Sequence, residues 1–134
     1  MNVLWDTSGV VAFLRADDPH HAEAAACVKR LEGVGGRLMI TNFIVSEVYA
    51  LLLSRASPHI ARRWLRENPL IPQRVTETDE ARARAILFSY TDKDFSYVDA
   101  TSFAVMERLG IDTAFTFDLH FKQYGWKQLT SRLN

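Results

Sequence analysis

The chain has 134 residues, of which 48% are hydrophobic and 24% are charged, and its formal net charge is zero. This length suits one domain that buries roughly two thirds of its unfolded surface, and the composition excludes a disordered or fibrous chain. The balanced charge gives no overall sign of nucleic-acid binding, so any such surface must come from local basic groups.

The sequence contains a single cysteine, Cys27, which excludes an intrachain disulfide and indicates a reducing compartment. The amino terminus enters a strand-like run at once, without a basic leader, which is unlike a signal peptide. No apolar run approaches the roughly 20 residues that span a bilayer. We therefore expect a soluble, cytoplasmic protein that makes no membrane contact.

The amino-terminal half alternates short apolar runs with helical patterns. Residues 3–5 predict a strand that ends at Asp6, and the helical pattern of residues 9–14 follows. Asp18 and Pro19 match an N-cap and a first helical residue, which predicts an alanine-rich helix up to a glycine cluster. The next predicted elements are a strand over 38–41, a helix over 42–53, and a helix over 58–66 capped by Ser57.

The carboxyl-terminal half continues the alternation. Residues 70–75 predict a weak strand, and Pro72 within it favours the edge of the sheet. The remaining predicted elements are helices over 78–89 and 96–109, the latter ended by Gly110, and strands over 113–117 and 126–129. Strands that alternate with helices indicate a parallel sheet with helices on both faces. We predict a single domain over residues 1–134, a three-layer α/β/α fold with a central parallel sheet of four to five strands.

Four acidic residues lie at unusual positions in this pattern. Asp6 and Asp118 each end a strand, and the carboxyl ends of parallel strands meet at one edge of a sheet. Glu47 and Asp99 lie within apolar helices. Taken singly, Asp6 suits a helix cap, Glu47 a solvated surface position, and Asp99 a first-turn acid favoured by the helix dipole. Taken as a set, the four predict one acidic cleft.

Carboxylates gathered in one cleft repel one another, and burial raises their pKa values further. A divalent cation keeps them ionised, and a site of oxygen ligands without cysteine suits Mg²⁺ or Mn²⁺. Such an ion polarises a phosphoryl oxygen and activates water, so the pattern points to hydrolysis of a phosphodiester. The hydroxyls of Thr7, Ser8 and Thr116 are candidates to hold the carboxylates or a water by hydrogen bonds.

The acidic residues belong to an ordered series of motifs: Asp6-Thr7-Ser8, Ser46-Glu47-Val48, Ser96-Tyr97-Val98-Asp99-Ala100, and Phe115-Thr116-Phe117-Asp118-Leu119-His120-Phe121 followed by Gly125. In length, order and spacing this series resembles the PIN domain, and within it the VapC-type ribonuclease toxins of bacterial and archaeal toxin–antitoxin pairs. The resemblance covers essentially the whole chain.

The resemblance implies an endoribonuclease that depends on Mg²⁺ or Mn²⁺. It implies a catalytic quartet of Asp6, Glu47, Asp99 and Asp118, with Asp6, Asp99 and Asp118 as metal ligands. It further implies RNA as the substrate, a cognate antitoxin as a protein partner, and a homodimer.

Basic side chains on the predicted helical hairpin and in loops are candidates for contact with an RNA backbone. The main candidates are Arg15, Arg62, Arg63, Arg66 and Lys93, and Arg55 and Lys122 add to the same basic character. A solvated helix surface is an equally good interpretation for them, and Trp64 suits a dimer or antitoxin interface. We expect His20 and His21 to be exposed first-turn residues and His120 to have a packing or hydrogen-bonding role.

The alternative function of another class is a PIN-like module that binds RNA or a peptide without turnover. A phosphatase or phosphotransferase would require a nucleophilic aspartate with a nearby lysine. Lys122 is the only lysine close after any of these motifs, which disfavours this class of enzyme.

Overall fold

The computed structural model describes residues 1–132, which contain four strands and seven helices. In chain order these are β1 (Asn2–Trp5), α1 (Thr7–Leu14), α2 (His21–Gly33), β2 (Arg37–Met39), α3 (Asn42–Arg55), α4 (Pro58–Glu67), α5 (Glu77–Ser89), α6 (Tyr97–Leu109), β3 (Thr113–Phe115), α7 (Leu119–Tyr124) and β4 (Lys127–Gln128).

The four strands form one sheet in the order β2-β1-β3-β4, and all neighbouring strands are parallel. Successive side chains of a strand point to opposite faces, so Val3 and Leu4 belong to different cores. The core around Val3 includes Cys27 and Leu31 of α2, whereas helices α3 to α7 all contribute to the core around Leu4. The predicted α/β/α architecture with a parallel sheet is confirmed.

Helix ends follow the capping chemistry of the sequence. The Ser57 hydroxyl accepts the backbone N–H of Ile60 at 3.2 Å, and Pro58 occupies the first turn. Gly110 ends α6 with φ of 68°, a left-handed conformation that favours glycine. No helix among residues 1–132 is long and apolar enough to cross a membrane.

Two predictions, a strand and the start of a helix, need correction. Residues 70–75 are not a strand, because Pro72 lacks an N–H to donate and only Gln73 forms a single parallel bridge with Thr41. Pro19 does not begin the alanine-rich helix, which starts at His21. Asp18 instead closes a turn by accepting the backbone N–H of His20 at 2.8 Å.

Helix α7 was not predicted, because its six residues are too few to show helical periodicity. Its ends are nevertheless well defined. The Asp118 carboxylate caps it by accepting the backbone N–H of His120, and Gly125 ends it with φ of 118°. This short helix sets the direction of the chain directly after the last acidic motif.

Candidate active site

The four acidic residues line one cleft of about 420 Å³ at the carboxyl edge of the sheet. Asp6 follows β1, and Asp118 lies three residues beyond the end of the adjacent parallel strand β3. Helix α3 contributes Glu47 and the first turn of α6 contributes Asp99. The structure therefore brings together the set that the sequence pattern predicts, from four separate parts of the chain.

Asp6 is the most enclosed of these acids, with 3% of its surface exposed. Its Oδ2 accepts hydrogen bonds from the hydroxyls of Ser8 and Thr116, both at 2.9 Å. The same two hydroxyls also accept backbone N–H groups: Ser8 from Phe117 at 2.9 Å and Thr116 from Asp118 at 3.0 Å. This network ties the ends of β1 and β3 to each other around one carboxylate.

The Asp99 carboxylate both caps α6 and contacts His120. Its Oδ2 accepts the backbone N–H of Ser96 at 3.0 Å and completes a capping box. Asp99 therefore caps its helix, as one interpretation of the sequence predicts, and also lines the cleft. The same oxygen lies 2.7 Å from Nδ1 of His120. A carboxylate oxygen only accepts, so Nδ1 carries the proton in this contact. His120 thus has the predicted hydrogen-bonding role.

His120 also links Asp99 to Asp118. Its backbone N–H donates to Asp118 Oδ1 at 2.9 Å, and its Nδ1 lies 3.3 Å from that oxygen. The ring packs with its edge against Phe95 at a centroid distance of 5.6 Å. The imidazole therefore sets the spacing of two neighbouring acids.

Glu47 is half-buried and lines the cleft from α3, whereas its neighbour Val48 is fully buried in the core. Within residues 1–132 its carboxylate makes no hydrogen bond or ion pair. Of the four acids it alone is held by its helix rather than by polar neighbours.

The donor set fits a hard divalent cation. Oδ1 of Asp99 and Oδ2 of Asp118 accept no hydrogen bond from the described part of the chain. Besides the two bonds at Oδ2, Asp6 accepts only the backbone N–H of Thr7 within residues 1–132, so each acid keeps oxygen lone pairs for a cation. Asp99, Asp118 and His120 offer ligand atoms that lie within 4.8 Å of one another, and Asp6 lies in the same cleft outside that tightest group. Carboxylate oxygens are the ligands that Mg²⁺ and Mn²⁺ prefer.

The Thr7 hydroxyl makes no hydrogen bond to a carboxylate among the described residues, which leaves a water as the partner that we expected for it. This hydroxyl is buried and has no hydrogen-bond partner among residues 1–132. Thr7 lines the same cleft, and a buried hydroxyl without a partner is costly unless a water or an ion's water shell satisfies it. This orphaned hydroxyl is a second observation that fits a hydrated cation.

Burial raises the pKa of Asp6 from 3.8 to about 6, because the charged form loses water. The hydrogen bonds from Thr116 and Ser8 oppose this rise, and the nearby negative charge of Asp99 adds to it. Without a cation, Asp6 is costly to keep ionised at neutral pH.

This raised pKa predicts a pH dependence of stability in EDTA. The folded protein holds the Asp6 proton more tightly than the unfolded chain does, so this contribution to stability is complete below about pH 4. It is lost as the pH rises through about 6, by on the order of 3 kcal/mol. We expect Asp6→Asn to lack this loss. The measurement is urea unfolding of both proteins at about pH 4.5 and about pH 7.5; a stability difference that does not change with pH would contradict the assignment.

The main basic residues that we proposed for RNA contact lie outside the acidic cleft. Arg15 pairs with Asp17 at 2.8 Å, Lys93 pairs with Asp92 at 2.9 Å, and Arg63 pairs with Glu67 at 3.3 Å. Arg62 and Arg66 are exposed on α4. Arg55, which the sequence also offers as a basic residue of the helical hairpin, lines the cleft from the end of α3.

Two aromatic residues of the cleft were missed by sequence reasoning. His20 is exposed as expected, but it stacks on Phe117, and both rings line the cleft. His21 is partly buried, and its Nδ1 lies 2.8 Å from the carbonyl oxygen of Ala12, so it is not a free surface residue. Phe117 was detectable as the neighbour of Asp118, whereas no local signal connects His20 with it.

A larger groove of about 760 Å³ lies apart from the acidic cleft. Its apolar wall includes Trp5, Phe13, Ile60 and Trp64, and its rim carries paired charges such as Arg63 and Glu67. It contains no group of acids or histidines that could hold a metal ion among the described residues. Although this groove is larger than the acidic cleft, it lacks the side chains for metal-dependent catalysis among the described residues.

Comparison with known proteins gives concordant results. The sequence model of the PIN domain family matches residues 3–127. The chain is 32% identical to the 23S rRNA-specific endonuclease VapC20 of Mycobacterium tuberculosis over 92% of its own length and 95% of that protein. It is 31% identical to a VapC ribonuclease of Archaeoglobus fulgidus, over 96% of its own length and 88% of that protein.

Two solved structures have the same fold. The crystal structure of M. tuberculosis VapC20, described as a sarcin–ricin loop cleaving toxin, superposes with a TM-score of 0.82 at 30% identity, covering 96% of this chain and 98% of that one. FitAcB from Neisseria gonorrhoeae superposes with a TM-score of 0.68 at 19% identity, covering 98% of both chains, and at that identity it supports the fold alone.

Proposed function

Because the chain belongs to the PIN domain family, as a ribonuclease of the VapC toxin type, we propose that its acidic cleft hydrolyses RNA phosphodiester bonds with a bound divalent cation. The observation that supports this most strongly is the convergence of Asp6, Glu47, Asp99 and Asp118 on one cleft. Free carboxylate lone pairs on three of them support Mg²⁺ or Mn²⁺ as the cofactor.

Each acid has a proposed role. The free oxygen lone pairs of Asp6, Asp99 and Asp118 would hold the cation, which supplies charge stabilisation at the phosphoryl group and lowers the pKa of water. Ser8 and Thr116 fix the Asp6 carboxylate, and His120 fixes that of Asp99. Glu47 has no polar partner in the described residues, so it is free to orient the attacking water and accept its proton.

The partners follow from the family. We propose a cognate antitoxin as the protein partner, and the groove beside Trp64 is the surface whose apolar wall and charged rim best suit a segment of another protein. We also propose a homodimer, and we propose the cytoplasm as the site of action because the RNA substrate is found there.

The experiment is a cleavage assay with purified protein on a 23S rRNA fragment, which is the RNA named for its M. tuberculosis relative. We expect discrete cleavage with Mg²⁺ or Mn²⁺ and none with EDTA, with activity restored when excess metal is added. Binding of the RNA with no cleavage under any of these metals would instead support the module without turnover. Cleavage that persists in EDTA would contradict the metal's role.

A further inference from the structure

The rim of the acidic cleft carries a pair of stacked rings. The imidazole of His20 and the ring of Phe117 have centroids 4.4 Å apart and planes inclined by 5°. Phe117 is partly buried, and it meets Phe115 edge-on at 6.2 Å. His20 is exposed. Phe117 therefore covers one face of the imidazole, and His20 keeps exposed surface while it lines the cleft.

Hydrogen bonds fix the backbone of both residues. The N–H of His20 donates to the Asp18 carboxylate at 2.8 Å, and the N–H of Phe117 donates to the Ser8 hydroxyl at 2.9 Å. The next residue, His21, is anchored through its ring to the carbonyl of Ala12. A flat surface that is already ordered in the free protein costs little entropy when a ligand stacks on it.

Single-stranded RNA is recognised by this kind of surface. Unpaired bases stack on aromatic rings, including histidine, and the contact tolerates different bases because every base has a π-face. His20 and Phe117 line the same cleft as the four acids, and Phe117 directly precedes the proposed metal ligand Asp118. A nucleotide whose phosphate reaches the acids can therefore place its own base, or that of its neighbour, on the stacked rings.

We propose that His20, backed by Phe117, stacks on a nucleobase beside the scissile phosphate and so positions unpaired RNA in the cleft. This inference rests on the proposed ribonuclease function and deepens it by assigning a residue to substrate positioning. It uses the flat ring of His20 rather than a ring nitrogen. Replacing a histidine that only packs against Phe117, or that only donates a hydrogen bond to a phosphate, would give a different pattern of losses.

The first test compares His20→Ala and His20→Phe with the matched control His59→Ala, an exposed histidine in the first turn of α4. We expect His20→Ala to lower kcat/KM for an unpaired RNA substrate about 5- to 150-fold, the range that loss of one stacked base gives. His20→Phe should remain within about threefold of the native protein, since it keeps the flat ring. Equal losses in both His20 variants, or no loss in either, would overturn the inference.

The second test removes bases instead of side chains. Once the native enzyme's cleavage site is mapped, each flanking nucleotide is replaced in turn by an abasic one. We expect one position at which the abasic substrate is cleaved more slowly by the native enzyme but not by His20→Ala. This coupling is the signature of a stacking pair, and a purely structural role of His20 would leave the abasic penalty unchanged in the variant.

The two tests separate this inference from the function on which it rests. If the native protein does not cleave RNA with any divalent metal, the proposed function fails. If the native protein cleaves RNA and His20→Ala cleaves it equally well, only the stacking role fails. RNA affinity measured in an Asp6→Asn background gives the same comparison without turnover, and His20→Ala is expected to weaken binding there by a similar factor.

Discussion

Replacing Asp6 with asparagine is expected to lower RNA cleavage by at least about a hundredfold while the protein stays folded. Asparagine keeps the shape of the side chain, and its carbonyl oxygen still accepts the bonds that Ser8 and Thr116 donate. It lacks the negative charge with which a carboxylate attracts a divalent cation. Removal of a group that merely orients a metal ligand already costs about 10- to 100-fold, so loss of a ligand should cost more.

The control for this variant is Asp112→Asn. Asp112 is exposed at the opposite end of β3 and pairs with Lys127 at 3.3 Å, so its neutralisation should leave cleavage within about twofold, since exposed ion pairs contribute little. Both proteins should be purified identically, because a contaminating ribonuclease would affect them alike. Native-like cleavage by a folded Asp6→Asn protein would exclude Asp6 as a metal-binding catalytic residue.

Replacing Gly9 with alanine is expected to lower stability by about 1–3 kcal/mol, the usual cost of an overpacked site, and to lower cleavage as well. A Cβ at Gly9 would overlap the carbonyl oxygen of Phe115 and lie 2.9 Å from its ring. That same carbonyl accepts the backbone N–H of Asp6 at 3.1 Å. The overlap would therefore push apart the two strand ends that position the acids, and a displacement of about 1 Å can cost a hundredfold in rate.

Gly33→Ala is the matched control for Gly9→Ala. Gly33 is the last residue of α2, and an added Cβ there has no atom within 4 Å. We expect unchanged cleavage and a gain of up to about 1 kcal/mol, because alanine has the better helix propensity. Chemical unfolding and the cleavage assay measure both effects. If Gly9→Ala is as stable and active as the native protein, the contact between α1 and β3 does not position the site.

The acidic residues could be predicted from sequence because each stands out from its neighbours by its position in a strand or helix. The order of strands and helices then brings their side chains close together. Asp6 and Asp118 follow apolar runs, and adjacent parallel strands bring their ends to one edge. Glu47 and Asp99 are charged positions in apolar helices, and such positions face a polar cleft more readily than a core. Family resemblance then supplied the reaction and the partners.

What the sequence did not predict depends on contacts between distant segments. Nothing near His20 indicates that it meets Phe117, 97 positions later in the chain. Whether residues 70–75 form a strand depends on backbone pairing with a neighbouring segment around Pro72. Of these residues, only Gln73 makes such a pairing, so no strand forms. Sequence gives the basic residue type but not its position: Arg55 lines the cleft, whereas Arg15 and Lys93 pair with acidic neighbours outside it.

The central claim is that the acidic cleft activates a water for attack on an RNA phosphodiester. The most direct test is cleavage by the native protein in ¹⁸O-labelled water with Mn²⁺, followed by mass spectrometry of the products. We predict that a single turnover places one ¹⁸O atom in the terminal phosphate of the product and that the label is absent with EDTA or with Asp6→Asn. A 2′,3′-cyclic phosphate without label would show attack by the RNA's own 2′-hydroxyl and would contradict the claim.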